Sequence, residues 1–219
     1  MSLMKVLASG AAAVLLAASP LTQAALFDFA AIADSEGERG FSSYVRTEGG
    51  IEVTATGTSV GDADATPDYF AYLDSGDAGL GVCKNLTISN QCTPSNDDNL
   101  TVDESLSLAF DQVVVIDEIL FRNADHGTSF ASDADFQVRI DGGAWMDFAL
   151  THMFGVDLEG TLFEFIASTT DGTIDGDLDS DQLYIEALTA NAVPEPGTAV
   201  MLGLGLLGFG FARRTKLRA

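Results

Sequence analysis

Carboxylate side chains are the groups in this sequence best suited to chemistry, and two short stretches are especially rich in them. The first stretch follows the second of two cysteines and contains Asp97, Asp98 and Glu104. Clustered carboxylates and turn carbonyls are hard oxygen ligands of the kind that calcium prefers. We therefore treat these residues as a candidate calcium site, with a solvated acidic turn as the alternative interpretation.

The second stretch alternates aspartate with other residues shortly before the last predicted strand. Its candidate ligands are Asp175, Asp177, Asp179 and Asp181. Together with Glu186 they fit the spacing of an EF-hand loop, but Ser180 stands where that loop needs glycine, and strand-like sequence replaces the flanking helices. An EF-hand is therefore not expected. A looser calcium loop and an ordinary acidic turn remain as the two interpretations.

The sequence carries no signature of a known catalytic site. Its two histidines, His126 and His152, are accompanied by neither a Gly-x-Ser-x-Gly motif nor a zinc-binding motif. Paired carboxylates for glycoside cleavage carry no information, because so acidic a chain always places some pair at a suitable distance. We therefore expect no catalytic residues and no enzymatic activity, and an exported hydrolase is the least supported alternative.

Residues 1–24 have the parts of a secretory signal peptide. Lys5 provides the positive start, and residues 6–18 form the apolar segment. Small residues then permit cleavage between Ala24 and Ala25. We expect the rest of the chain to be exported.

The two cysteines, Cys83 and Cys92, are the only ones in the chain. An exported chain enters an oxidising compartment, so we expect them to form a disulfide. The loop that they close is short, and in the chain-entropy model its closure stabilises the fold by about 2–3 kcal/mol.

The C-terminal end consists of a proline-flanked motif, an apolar segment and a basic tail. Pro194, Glu195 and Pro196 form an extended segment, because proline blocks both helix and strand. The apolar segment 198–212 would form a helix about 22 Å long, against a hydrocarbon core of about 30 Å. The basic residues of 213–218 favour the cytoplasmic side, which places the acidic part of the chain outside. We expect a single transmembrane helix that holds the chain in the inner membrane, at least transiently.

This tail resembles the PEP-CTERM sorting signal of Gram-negative bacterial proteins associated with extracellular polysaccharide. Its motif, apolar helix and basic end match the three parts of that signal in order. The resemblance implies recognition by exosortase, with removal or exchange of the tail at the cell surface. The middle of the chain also resembles a passenger domain found with such tails, which implies a β-sandwich but no reaction. That likeness runs through residues 72–76, 79–83, 97–101, 104 and 122–126.

The charge balance is strongly acidic, with 10 Lys and Arg against 33 Asp and Glu in 219 residues and a formal net charge of -23. Residues 25–193 hold 32 of the acidic residues and five of the basic ones. Phosphate groups would repel such a surface, so no nucleic-acid partner is expected. The 47% of hydrophobic residues is nevertheless enough for a packed core.

Alternation of apolar and polar residues predicts short strands between glycine-containing turns, and no segment keeps a helical period over three turns. About ten strands at this spacing predict an all-β, jelly-roll-like β-sandwich. We divide the chain into a signal peptide (1–24), the sandwich (25–190) and the sorting signal (191–219). The strands predicted most clearly cover 51–56, 106–110, 113–121, 136–140, 161–166 and 182–187.

These observations predict an exported envelope or extracellular-matrix protein, sorted by exosortase, with a structural or adhesive and non-enzymatic role. The alternative is a calcium-dependent carbohydrate-binding module that uses one of the two acidic clusters. The expected partners are exosortase, the inner membrane and extracellular polysaccharide. Calcium is the only cofactor considered.

Overall fold

The computed structural model describes residues 24–59, 69–101, 104–132, 134–167 and 182–193. These residues contain eleven strands and one helix, and the strands pair in antiparallel fashion. In chain order the elements are β1 (Ala24–Asp28), α1 (Phe29–Glu36), β2 (Arg39–Phe41), β3 (Tyr44–Glu48), β4 (Ile51–Ser59), β5 (Phe70–Asp74), β6 (Gly79–Cys83), β7 (Glu104–Asn123), β8 (Asp135–Ile140), β9 (Met146–Ala149), β10 (Met153–Ala167) and β11 (Leu183–Ala192).

Two long strands, β7 and β10, run through both sheets of the sandwich. The first half of β7, residues 104–110, pairs with β4, whereas its second half, residues 114–123, pairs with β11. β10 follows β7 along its other side. The first sheet therefore has the order β3-β4-β7-β10-β8-β9, and the second has the order β2-β5-β6-β11-β7-β10. β11 pairs only briefly with β6, and the part of β11 that follows this contact pairs with β1.

The bend between the two sheets lies at residues 111–113 of β7. Opposite this bend, the pairing register between β10 and β7 shifts. Gly160 of β10 pairs with Val114 of β7, whereas Leu162 pairs with Ala109. Such irregularities bend a strand and increase its twist. One continuous strand can therefore contribute to both layers.

The main core lies between the two sheets and follows the alternation of side chains along each strand. On β4, Ile51, Val53 and Ala55 are buried, whereas Glu52 between them is exposed. Aromatic rings fill the centre, and the rings of Phe121 and Phe136 lie 4.9 Å apart. The phenylalanines that are completely or almost completely buried are Phe27, Phe29, Phe121, Phe136, Phe163 and Phe165.

The helix α1 is an element that strand alternation did not predict. Asp28 caps its first turn by accepting a hydrogen bond from the Ala31 N–H at 2.9 Å. Gly37 ends it with a φ of 93° and donates its N–H to the carbonyl of Ala33. Eight residues give only about two turns, so no helical period stands out in the sequence. The helix packs against β5, β6 and β11.

The predicted all-β sandwich is confirmed by this arrangement. Residues 106–110 and 113–121, predicted as two strands, form the single strand β7. The last strand passes the predicted boundary at residue 190, because β11 continues to Ala192 and the N–H of Val193 donates to the carbonyl of Val113 at 3.0 Å.

The predicted signal peptide lies outside the described residues up to residue 23, and the predicted transmembrane helix at 198–212 lies outside them entirely. Ala24 and Ala25, the residues flanking the predicted cleavage, are the first residues of β1. Within the described ranges, no helix has the length and hydrophobicity needed to cross a bilayer.

Candidate functional site

A second, smaller core covers the outer face of the second sheet. The structure contains the predicted disulfide between Cys83 and Cys92, whose Cα atoms are 5.9 Å apart. Tyr72 is buried with the two cysteines, and Leu86 packs against them. Alternation along β5 sends Tyr72 and Asp74 to this side, while Leu73 between them joins the main core. The disulfide loop therefore shields polar groups that would otherwise face solvent.

Three carboxylates meet at the edge of this covered region, and we call Glu38, Asp74 and Asp98 the carboxylate triad. Glu38 lies between α1 and β2, Asp74 ends β5, and Asp98 follows the disulfide loop. One carboxylate oxygen from each lies within 4.8 Å of the others. Asp74 is 5% exposed and Asp98 is 7% exposed. Three carboxylates so close together, two of them buried, repel one another unless protons or a cation compensate.

Each carboxylate of the triad contacts at least one oriented side chain, and Tyr184 contacts both Asp98 and Asp74. The hydroxyl of Tyr72 donates to Glu38 Oε1 at 2.6 Å, and the hydroxyl of Tyr184 donates to Asp98 Oδ1 at 2.6 Å. Nε2 of His126 lies 3.0 Å from Asp74 Oδ2. The triad is thus held in place by groups from three separate parts of the chain.

His126 is itself fixed by the turn that follows β7. Its backbone has a φ of 62°, and its N–H donates to the carbonyl of Asn123 at 2.9 Å. Its Nδ1 lies 2.8 Å from the carbonyl oxygen of Gly76, which can only accept, so Nδ1 carries a proton. The imidazole edge also packs on the ring of Tyr184, with centroids 5.5 Å apart. Both ring nitrogens are therefore engaged by the protein.

Burial dominates the protonation of this region. It raises the pKa of Asp74 to about 6; the neighbouring Asp98 adds to the rise, and His126 opposes it. Burial likewise raises the pKa of Asp98, although the hydrogen bond from Tyr184 opposes that rise. The pKa values of the Tyr72 and Tyr184 hydroxyls are raised, first by burial, so both remain protonated donors.

The triad borders a cavity of about 450 Å³. Asn99 also lines it and is only 3% exposed. Its amide Nδ2 donates to Gln182 Oε1 at 2.8 Å, whereas its Oδ1 is buried without a hydrogen-bond partner in the structure. The region thus contains more oxygen acceptors than hydrogen-bond donors.

The structure divides the calcium ligands that the sequence suggested after Cys92. Asp98 joins the triad, but Asp97 Oδ1 and Glu104 Oε1 each lie 3.8 Å from Nζ of Lys84. Glu104 is fully buried, and its Oε2 accepts from the N–H and hydroxyl of Thr101 at 2.9 Å and 3.0 Å. Lys84 already provides a positive charge beside Asp97 and Glu104. These two residues therefore differ from Asp98, which joins the triad.

Glu104 makes a testable contribution to the pH dependence of stability. Burial raises its pKa from 4.5 to about 7. The folded state therefore holds this proton more tightly than the unfolded state, so the free energy of unfolding falls by about 3 kcal/mol as the pH rises from about 4.5 to above 7. We expect Glu104→Gln to equal the wild type in stability at pH 4.5 and to exceed it by about 2–3 kcal/mol at pH 8.

Urea unfolding of both proteins at the two pH values measures this difference. Glu164→Gln, which removes the partner of Arg139 in a partly exposed ion pair, serves as the control and should show no such gain at high pH. Parallel pH profiles for Glu104→Gln and the wild type would show that Glu104 does not bind its proton in this way.

Two groups of predicted site residues lie outside the described part of the chain. They are the sorting motif Pro194, Glu195 and Pro196, and the second calcium candidate Asp175, Asp177, Asp179 and Asp181. Conversely, Glu38 and Asp74 are not among the site residues predicted from the sequence. Glu38 follows Asp34 and Glu36 in an acidic run of its own, but only the folding of the sheet brings Glu38 and Asp74 to Asp98.

Comparison with known families identifies the C-terminal segment. The family model described as the PEP-CTERM protein-sorting motif matches residues 192–214. The match includes the Pro-Glu-Pro segment and begins at the last residue of β11. No curated protein matches the chain. The fold is an all-β sandwich, and the motif at residues 192–214 suggests an exported protein that is sorted by exosortase.

Proposed function

We propose that this protein is a structural or adhesive component of the cell envelope or extracellular polysaccharide matrix, delivered there by exosortase and without enzymatic activity. The observation that carries the proposal is the sorting motif at residues 192–214, which follows directly on the last strand of the sandwich. The apolar segment 198–212 would hold the chain in the inner membrane until the tail is removed. The host would be a Gram-negative bacterium.

Features of the sandwich support a structural role outside the cell. The disulfide suits an oxidising compartment, and its loop closes over the outer face of one sheet. The strongly acidic composition keeps the protein soluble and suits contact with cations. His126, which a hydrolase could use as a base, is engaged on both ring nitrogens by Gly76 and Asp74.

A calcium-dependent carbohydrate-binding module is the second candidate, and the cavity beside the carboxylate triad favours it. Tyr72 and Tyr184 would not act as stacking platforms for a sugar ring, because both are buried and their hydroxyls are bound to carboxylates. Sugar hydroxyls would instead have to reach a cation in the cavity. Glycan-array binding with and without a chelator separates this candidate from the purely structural role.

Sorting provides the direct test of the leading proposal. We expect Glu195→Ala to be exported across the inner membrane but to stay there with its tail uncut, because the motif loses its one charged side chain while the apolar segment still holds the membrane. Cell fractionation, with antibodies to the sandwich and to the C-terminal tail, measures both events. Glu52→Ala, an exposed change in β4, is the matched control and should be released normally. Normal release of Glu195→Ala would contradict the proposal.

A hydrolase remains as the third candidate, since closely spaced carboxyl groups also occur in glycosidases. The raised pKa of Asp74 and the short distances within the triad are the observations that favour it. Turnover of polysaccharide by the purified protein, lost in Asp74→Asn and Asp98→Asn, would establish this candidate and replace the non-enzymatic proposal.

A further inference from the structure

We propose that the carboxylate triad of Glu38, Asp74 and Asp98 binds one calcium ion, with the side-chain carbonyl of Asn99 as a further ligand. This site differs from both acidic clusters that stand out in the sequence. It is independent of sorting, because none of its residues belongs to the motif at 192–214.

The spacing of the three carboxylates fits a single ion. Calcium lies about 2.3–2.6 Å from each oxygen ligand, so two ligands of one ion are at most about 5 Å apart. The three ligand oxygens of the triad lie within 4.8 Å of one another. One ion can therefore contact all three without a rearrangement of the backbone.

Asn99 supplies the independent observation. Its Oδ1 is buried without a hydrogen-bond partner in the structure, although the residue is only 3% exposed and lines the same cavity as the triad. Its Nδ2 is bound to Gln182, which fixes the amide plane. A buried carbonyl left unpaired is costly, and asparagine carbonyls are regular calcium ligands. A cation held by the triad that also reached this atom would satisfy it.

The surrounding donors have the arrangement of an outer coordination shell. Tyr72 contacts Glu38, His126 contacts Asp74, and Tyr184 contacts both Asp98 and Asp74, so these side chains set the orientation of the carboxylates. His126 pairs with Asp74, whereas Tyr72 and Tyr184 donate hydrogen bonds without adding a positive charge. The described Lys84, by contrast, lies beside Asp97 and Glu104. The triad is thus preorganised by these contacts, and among the described residues no lysine or arginine pairs with it.

The donor set selects calcium over other common ions. Zinc prefers nitrogen and sulfur, but Cys83 and Cys92 are joined in a disulfide and the nitrogens of His126 are occupied. Magnesium requires six ligands in strict octahedral geometry and keeps most of its water. Calcium accepts six to eight oxygens in flexible geometry, and the cavity of about 450 Å³ has room for the waters that complete its shell.

Calorimetric titration and thermal unfolding of the exported protein test this site. We expect one calcium ion to bind per chain. At a free calcium concentration one hundred times the dissociation constant, the melting temperature should rise by about 5–10 °C above that in sodium chloride of equal ionic strength. Magnesium chloride at the same concentration should give a much smaller rise.

Variants then locate the ion. We expect Glu38→Gln and Asp74→Asn each to lower the calcium affinity at least tenfold. Glu38→Gln keeps an acceptor for Tyr72 at a half-buried position, so it tests binding even if Asp74→Asn fails to fold. The matched control is Asp77→Asn, an exposed aspartate three residues from Asp74 with a φ of 67° that asparagine also adopts. Its calcium affinity should equal that of the wild type.

The two clusters predicted from the sequence are the competing locations. Asp97→Asn and the double change Asp177→Asn with Asp179→Asn should leave calcium binding unchanged. Loss of binding in either of these, with binding retained in Glu38→Gln, would overturn the assignment. Identical melting curves in calcium and in sodium at matched ionic strength would overturn the site altogether, without affecting the sorting proposal.

Discussion

Replacing Cys83 and Cys92 together by serine is expected to lower the melting temperature of the exported protein by about 5–10 °C. The disulfide joins residues nine positions apart. Closing a loop of that length stabilises the folded state by about 2.7 kcal/mol in the chain-entropy model, and each kcal/mol moves the melting temperature of a domain this size by about 2–4 °C. The loss also opens the cover over Tyr72, which packs on both cysteines.

Calcium binding should weaken in the same variant. The N–H of Cys92 donates to the Tyr72 hydroxyl at 3.3 Å, and that hydroxyl in turn holds Glu38. Differential scanning calorimetry with and without calcium measures both effects. Ala144→Ser, at an exposed position distant in sequence from the loop, serves as the control. A melting temperature within 1 °C of the wild type would show that the loop is held without its disulfide.

Gly81→Ala is expected to destabilise the protein by about 3 kcal/mol, the upper end of the usual cost of overpacking. A Cβ at Gly81 would overlap the backbone carbonyl of Asp98 and crowd the Cα of Asn99. These atoms belong to the main chain, so no rotation of a side chain relieves the overlap. β6 must instead move away from the segment that supplies two of the proposed calcium ligands.

A matched control separates general destabilisation from damage to the site. Gly57→Ala places a Cβ 2.8 Å from the backbone of Phe70, across the main core, and should cost a similar free energy. We expect calcium to raise the melting temperature of Gly57→Ala as it does for the wild type, but to have little effect on Gly81→Ala. Equal calcium responses in the two variants would show that the close packing of β6 against the Asp98 backbone at Gly81 does not position Asp98.

The strands could be predicted because alternation of side chains is a local property. Residues 51–56 and 136–140 alternate clearly, and they lie in β4 and β8. The continuity of β7 could not be predicted in this way. Its polar residues at the bend look like a turn in the sequence, whereas in the fold they mark the passage of one strand between two sheets.

The candidate site was largely hidden from the sequence because its members are far apart along the chain. The Tyr72–Glu38 hydrogen bond joins residues 34 positions apart, and the Tyr184–Asp98 bond joins residues 86 positions apart. Of the triad, only Asp98 belonged to the acidic stretches selected from the sequence, and its neighbour Asp97 lies beside Lys84 instead. The acidic run in the sequence thus identified one residue of the site, whereas the sheet topology determines which carboxylates meet.

The intact mass of the protein released from the cell surface is the most direct test of the account as a whole. We predict a chain that begins at Ala25, is two hydrogens lighter than its reduced form because of the disulfide, and lacks the apolar segment and basic tail of residues 198–218. Such a mass would show export, oxidation and removal of the sorting signal in one measurement. A surface protein that still carries residues 198–218, or that contains two free thiols, would contradict it.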